Sequence, residues 1–132
     1  MSLGNLTWAA TVLTGLIERT CGIMSPLADV NASTRDQIHE ARVSLSATTT
    51  AGKAATTWLE AAYRALGERN AVIHATTTAV YNADSSAYAT MLKNPRSGQG
   101  TPLTVQALDD IFRKLDELSA RQTRIELGLV QS

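Results

Sequence analysis

Residues 58–74 read Trp58-Leu59-Glu60-Ala61-Ala62-Tyr63-Arg64-Ala65-Leu66-Gly67-Glu68-Arg69-Asn70-Ala71-Val72-Ile73-His74, and their spacing decides the fold class. Leu59, Ala62, Leu66, Ile73 and, further on, Val80 recur at intervals of three, four and seven, which places them on one face of an α-helix. Glu60, Arg64 and Glu68 repeat every four residues on another face and read as a solvated charged row. The pattern extends over about residues 53–81. Gly67 lowers helix propensity inside it and marks either a bend or a boundary between two helices that presents Arg69.

Outward from this segment the chain keeps a helical grammar. Leu6, Ala10, Leu13, Ile17 and Cys21 predict a first helix from about residue 3 to 24, stopped by Ser25-Pro26 because proline lacks the N–H and restricts the residue before it. Met1-Ser2-Leu3 carry no functional weight. Ser33 or Thr34 can cap a second helix with Asp36 in its first turn, and Ile38, Ala41, Val43 and Leu45 supply its apolar face. The hydroxyl-rich run over residues 44–50 is weak in helix propensity, so this helix is expected to end near Gly52 or to run on with a kink.

Residues 82–102 carry Asp84, Asn94-Pro95, Gly98, Gly100 and Pro102 and read as a loop, with a helical turn expected over 87–92. A last helix is expected from near Thr104, where Leu108, Ile111, Leu115, Leu118, Ile125 and Leu129 follow a seven-residue rhythm that Gln122 interrupts. Four amphipathic segments with these connections predict an all-α, up-and-down helical bundle of four to five helices. At 132 residues and 44% hydrophobic content, one domain over residues 1–132 is expected. Aromatic content of 5% favours an interior of Leu, Ile, Val and Ala; Trp8 and Trp58 read as packing residues.

Twelve basic against twelve acidic residues give a formal charge of +0, which argues against a protein that coats nucleic acid and leaves room for a local basic site. The single cysteine, Cys21, forms no intramolecular disulfide and reads as a buried thiol. Thr7, Thr11 and Thr14 interrupt the apolar N-terminal run, so neither a membrane span nor a secretory signal is expected, and the location is expected to be cytoplasmic. No metal-ligand spacing, dinucleotide fingerprint or phosphate-loop motif appears, so no metal or cofactor is expected.

Within 68–74, an Arg followed directly by an amide precedes a His by five positions. On an ideal helix Arg69 and His74 point about 140° apart, whereas Asn70 and His74 are separated by about 40°. Arg69 also falls seven residues after Ala62, close to the apolar stripe, and a charge there calls for an acidic residue, a ligand phosphate or a subunit interface. Tyr63 and Tyr81 lie seven residues before Asn70 and seven after His74 and offer ring faces for base stacking. His39, beside Glu40 and Arg42, reads as solvent-facing, and Lys93 and Arg96 as loop charges.

The order Arg69-Asn70 … His74 in the third helical segment of a small bundle resembles the Arg-polar-x-x-x-His motif of HEPN domains (higher eukaryotes and prokaryotes nucleotide-binding). The likeness extends loosely over most of the chain, through the long helix, Tyr81, a polar loop and a closing amphipathic helix. Ala75 stands where relatives frequently carry Gly, and Tyr81 where some carry Trp. The resemblance implies a homodimer whose composite cleft cleaves RNA without metal, as a toxin or phage-defence endonuclease with an antitoxin as a further partner. His74 would move protons, Arg69 would hold the phosphate, and Asn70 would fix the His tautomer or bond the phosphate, leaving a 2′,3′-cyclic phosphate and a 5′-hydroxyl. The alternative is a non-catalytic module of the same scaffold that binds a protein or a nucleotide. A third reading is a structural bundle in which His74 is a capping or partly buried residue.

Overall fold

A computed structural model describes the backbone of residues 3–81, 91–93, 100–102 and 105–131, and the side-chain environments of residues 4–72, 74 and 106–131. The protein is an all-α helical bundle. Its described helices are α1 (Leu3–Met24), α2 (Thr34–Val43), α3 (Thr50–Tyr81) and α4 (Val105–Gln131), with a 3-10 turn at Leu45–Thr48. Met91–Lys93 and Gly100–Pro102 pair as two short antiparallel strands, β1 and β2, with Leu92 opposite Thr101. This pairing replaces a plain loop at those residues, and the rest of the expected loop lies outside the described residues.

The apolar stripes meet in one core. Leu6, Leu13 and Ile17 of α1, Leu59 and Val72 of α3 and Leu115 of α4 are fully enclosed, with Ile38 and Ala41 of α2 joining them. Each enclosed aliphatic side chain contributes roughly 1.5–3 kcal/mol of transfer free energy. Ala55, Ala62 and Ala65 are buried along α3, where small side chains let its neighbours approach closely. Trp58 is buried as expected, and its indole Nε1 donates to the Leu118 carbonyl at 2.8 Å. Trp8 departs from expectation: it is 70% exposed, because it lies off the stripe formed by Leu6, Ala10 and Leu13.

Several polar residues inside the helices are satisfied locally, whereas Arg69 Nε and Ser119 Oγ are buried without a hydrogen-bond partner. Thr11, Thr14 and Thr20 donate their hydroxyls to carbonyls one turn back at 2.8–2.9 Å, which for the buried Thr20 offsets the cost of enclosing a hydroxyl. Gln122, the interruption in the last rhythm, is buried and donates to Thr20 Oγ1 at 3.3 Å and to Glu126 at 3.1 Å. Arg19 pairs with Glu126 beside this layer. Trp58 against Leu118, Glu68 against Lys114 and Gly128 against Ala51 show that α3 and α4 run antiparallel.

The second helix is shorter than its sequence suggests. It ends at Val43, since Ser44 is extended and its hydroxyl donates to the Ala41 carbonyl at 2.6 Å. Thr49 is extended in turn and its Oγ1 accepts the Gly52 N–H at 2.9 Å, so α3 starts at Thr50. Val43 and Leu45, expected on the inner face of α2, are 66% and 87% exposed. Gly67 does not break its helix: α3 is continuous.

Candidate functional site

The connection from α1 to α2 is built to aim the start of α2. Asp29 Oδ1 accepts the Asn31 N–H at 2.9 Å, an Asx turn, and the buried Gln37 side chain donates back to the Ala32 carbonyl at 2.8 Å. Ser33 then caps the helix: its Oγ accepts the Asp36 N–H at 3.2 Å and its carbonyl accepts the Gln37 N–H at 2.9 Å. The N–H groups of Thr34 and Arg35 fall in the first turn, where the helix offers them no acceptor and where the backbone dipoles favour an anion.

This helix start faces α3. A cleft of about 390 Å³ lies between them, with Ser33, Thr34 and Arg35 on the α2 side. Tyr63, Arg69 and Asn70 line it from α3, and Leu66 and Gly67 form its floor. Thr14 closes it from α1. No Asp or Glu lines it, so the two guanidinium groups act without a carboxylate in the cleft. The Nε of Arg69 is closed off from solvent and has no hydrogen-bond partner. Leaving such a group unpaired costs about 1–3 kcal/mol or more.

The expected site residues therefore divide. Tyr63, Arg69 and Asn70 share one cleft. His74, one turn beyond Asn70, is exposed and is not among the residues that line it. Tyr81 closes α3, and its side chain lies outside the described residues, as do Lys93 and Arg96. His39 is exposed, as its polar stretch suggests. The charged row of α3 is engaged across helices: Glu60 meets Arg42 at 3.4 Å and Glu68 meets Lys114 at 3.1 Å. Both pairs are half exposed and worth little in stability.

Arg35, Ser33, Thr34 and Thr14 were not legible as site residues. Ser33 carries a capping signal that is complete without any ligand, and Arg35 stands 34 positions before Arg69, a separation that only tertiary packing closes. A second cavity, of about 350 Å³, lies under the α1–α2 connection and mixes Glu18 and Asp29 with Arg19, so it selects no charge. Among the described residues no three His, Cys, Asp or Glu side chains cluster as a metal site, and no helix is long and apolar enough to cross a membrane. Comparison with family models, with curated proteins and with solved structures found no match for the chain.

Proposed function

We propose that this chain is an RNA-directed helical module of HEPN-like type that holds a nucleotide phosphate in the cleft between α1, α2 and α3. The observation that carries the reading is a cleft that brings Arg35, Arg69, Asn70 and Tyr63 together with no carboxylate among its lining residues. A guanidinium is permanently charged and matches phosphate oxygens with its forked donors, and a phenol ring gives a base a face to stack on. The amide of Asn70 both donates and accepts, which suits a ribose hydroxyl or a base edge. Isothermal titration of a short single-stranded RNA against wild type and Arg69→Ala tests this. Loss of at least tenfold in affinity is the expected outcome; unchanged affinity in the variant would remove the reading.

Cleavage is a second reading, favoured by the exposed His74 lying one turn after Asn70 on the same helix. Because His74 does not line the cleft of its own chain, this reading needs a second copy to bring an imidazole to the phosphate, as in a homodimer of the toxin or phage-defence kind with an antitoxin as partner. Metal-free incubation of structured RNA with EDTA, comparing wild type and His74→Ala and mapping product ends, decides it. Cyclic-phosphate ends that vanish in His74→Ala support an endonuclease. Intact RNA in the presence of a stable dimer leaves the binding module alone.

A further inference from the structure

We infer that the cleft contains a subsite for a phosphomonoester dianion, formed by the first turn of α2 together with Arg35 and Arg69. This rests on the phosphate-holding role proposed above and adds the half of the site that α2 supplies. Two independent features converge on it. The α2 start is a ten-residue helix with its cap already satisfied by Ser33, so the N–H groups of Thr34 and Arg35 remain as donors at its positive end. Arg35 and Arg69 come from different helices and line the same space with no carboxylate between them.

Charge and shape decide between the two kinds of phosphate that a nucleotide chain presents. An internal phosphodiester carries one negative charge, and its strand must both enter and leave. A terminal monoester carries close to two at neutral pH, as the second ionisation of a phosphate lies near 6, and its strand needs one exit only. Two guanidinium groups and a helix start match the dianion, and about 390 Å³ is at the small end of ligand pockets, room for one terminal nucleotide. Tyr63, 43% exposed, stands six residues before Arg69, roughly 9 Å along the axis, with Leu66 and the bare Gly67 between them. A phosphate at Arg69 leaves that floor for the sugar and the Tyr63 ring for the base. The monoester can belong to a free mononucleotide or to the 5′ end of a strand.

Titration calorimetry of the full chain separates the cases with four probes: uridine 5′-monophosphate, a uridine trinucleotide with a 5′-phosphate, the same trinucleotide with a 5′-hydroxyl, and inorganic phosphate. The 5′-phosphorylated trinucleotide is expected to bind at least tenfold tighter than the 5′-hydroxyl form, and Arg35→Ala is expected to erase that difference. Arg35 is exposed, so the substitution leaves the core untouched, and Gly67→Leu, whose side chain grows into open space above the floor, provides an independent block of the cleft. Equal affinity of the trinucleotide for either end, with Arg69→Ala still weakening both, would overturn the monoester subsite and leave the proposed function standing. Failure of all four probes to bind at millimolar concentration would overturn both. Monophosphate as tight as the phosphorylated trinucleotide assigns the site to free nucleotides; a tighter trinucleotide assigns it to strand ends.

Discussion

Cys21 lies on the inner face of α1 with Ile17 and Met24, and burial, reinforced by Glu18, pushes its thiol up to about 11 from an ordinary value of 9.0. A raised value means that the folded state keeps a proton which the unfolded chain has already lost. The resulting stabilisation is complete below about 9 and disappears as the pH climbs through the window up to about 11. The urea midpoint of the wild type should therefore fall more between pH 8.5 and 10.5 than that of Cys21→Ala; parallel falls would show that the thiol does not titrate across this window. Nucleophilic use of Cys21 is disfavoured for the same reason, since the thiolate is the reactive form. Arg69 and Trp8 make the opposite contrast. The charged residue has a nitrogen buried without a partner, and the large indole stands in solvent, so residue type alone misassigns both.

Helix by helix, what the sequence makes legible is what local periodicity controls. The α1 stripe from Leu6 to Cys21 is buried as its spacing requires, and the α4 rhythm buries Leu115, Leu118 and Leu129 even through Gln122, which finds Thr20. The end of α2 is not legible in that way, because it is set by side-chain competition for backbone groups at Ser44 and Thr49 and by a contact across the turn. Gly52 belongs to that contact: a Cβ there would stand 1.6 Å from the Ser46 carbonyl oxygen, inside any permissible distance. Gly67 has nothing within 4 Å of the same position. Two glycines in one helix thus predict opposite outcomes. Gly52→Ala should destabilise by about 1–3 kcal/mol through forced backbone movement. Gly67→Ala should stabilise by about 0.5–1 kcal/mol by removing the entropic cost of glycine in a helix interior. Thermal or urea unfolding of the two variants checks both signs; a Gly52→Ala protein as stable as wild type would mean that the Ser46 turn rearranges freely. The site divides along the same line, for Tyr63, Arg69 and Asn70 share a helix and were readable together, while Arg35 reaches them only through the packing of α2 on α3.

Across the whole molecule, twelve basic and twelve acidic residues balance, so the net charge supplies no general attraction for a polyanion. Arg19, Arg42 and Lys114 are matched by Glu126, Glu60 and Glu68, so these cations carry partners of their own. The cleft keeps Arg35 and Arg69 without a lining carboxylate. Counterion release makes this measurable, since each single-strand phosphate neutralised contributes about −0.7 to the slope of log affinity against log salt. Two guanidinium groups engaging RNA should give a slope of about −1 to −2 for a short oligonucleotide, and Arg35→Ala or Arg69→Ala should each flatten it by about 0.7. Fluorescence anisotropy over a salt series reads this directly. A slope steeper than about −4, unchanged in both variants, would place the RNA on a surface much wider than the cleft and would remove Arg69 from the centre of recognition. A slope near the expected value, flattened in both variants, would tie the affinity to those two side chains.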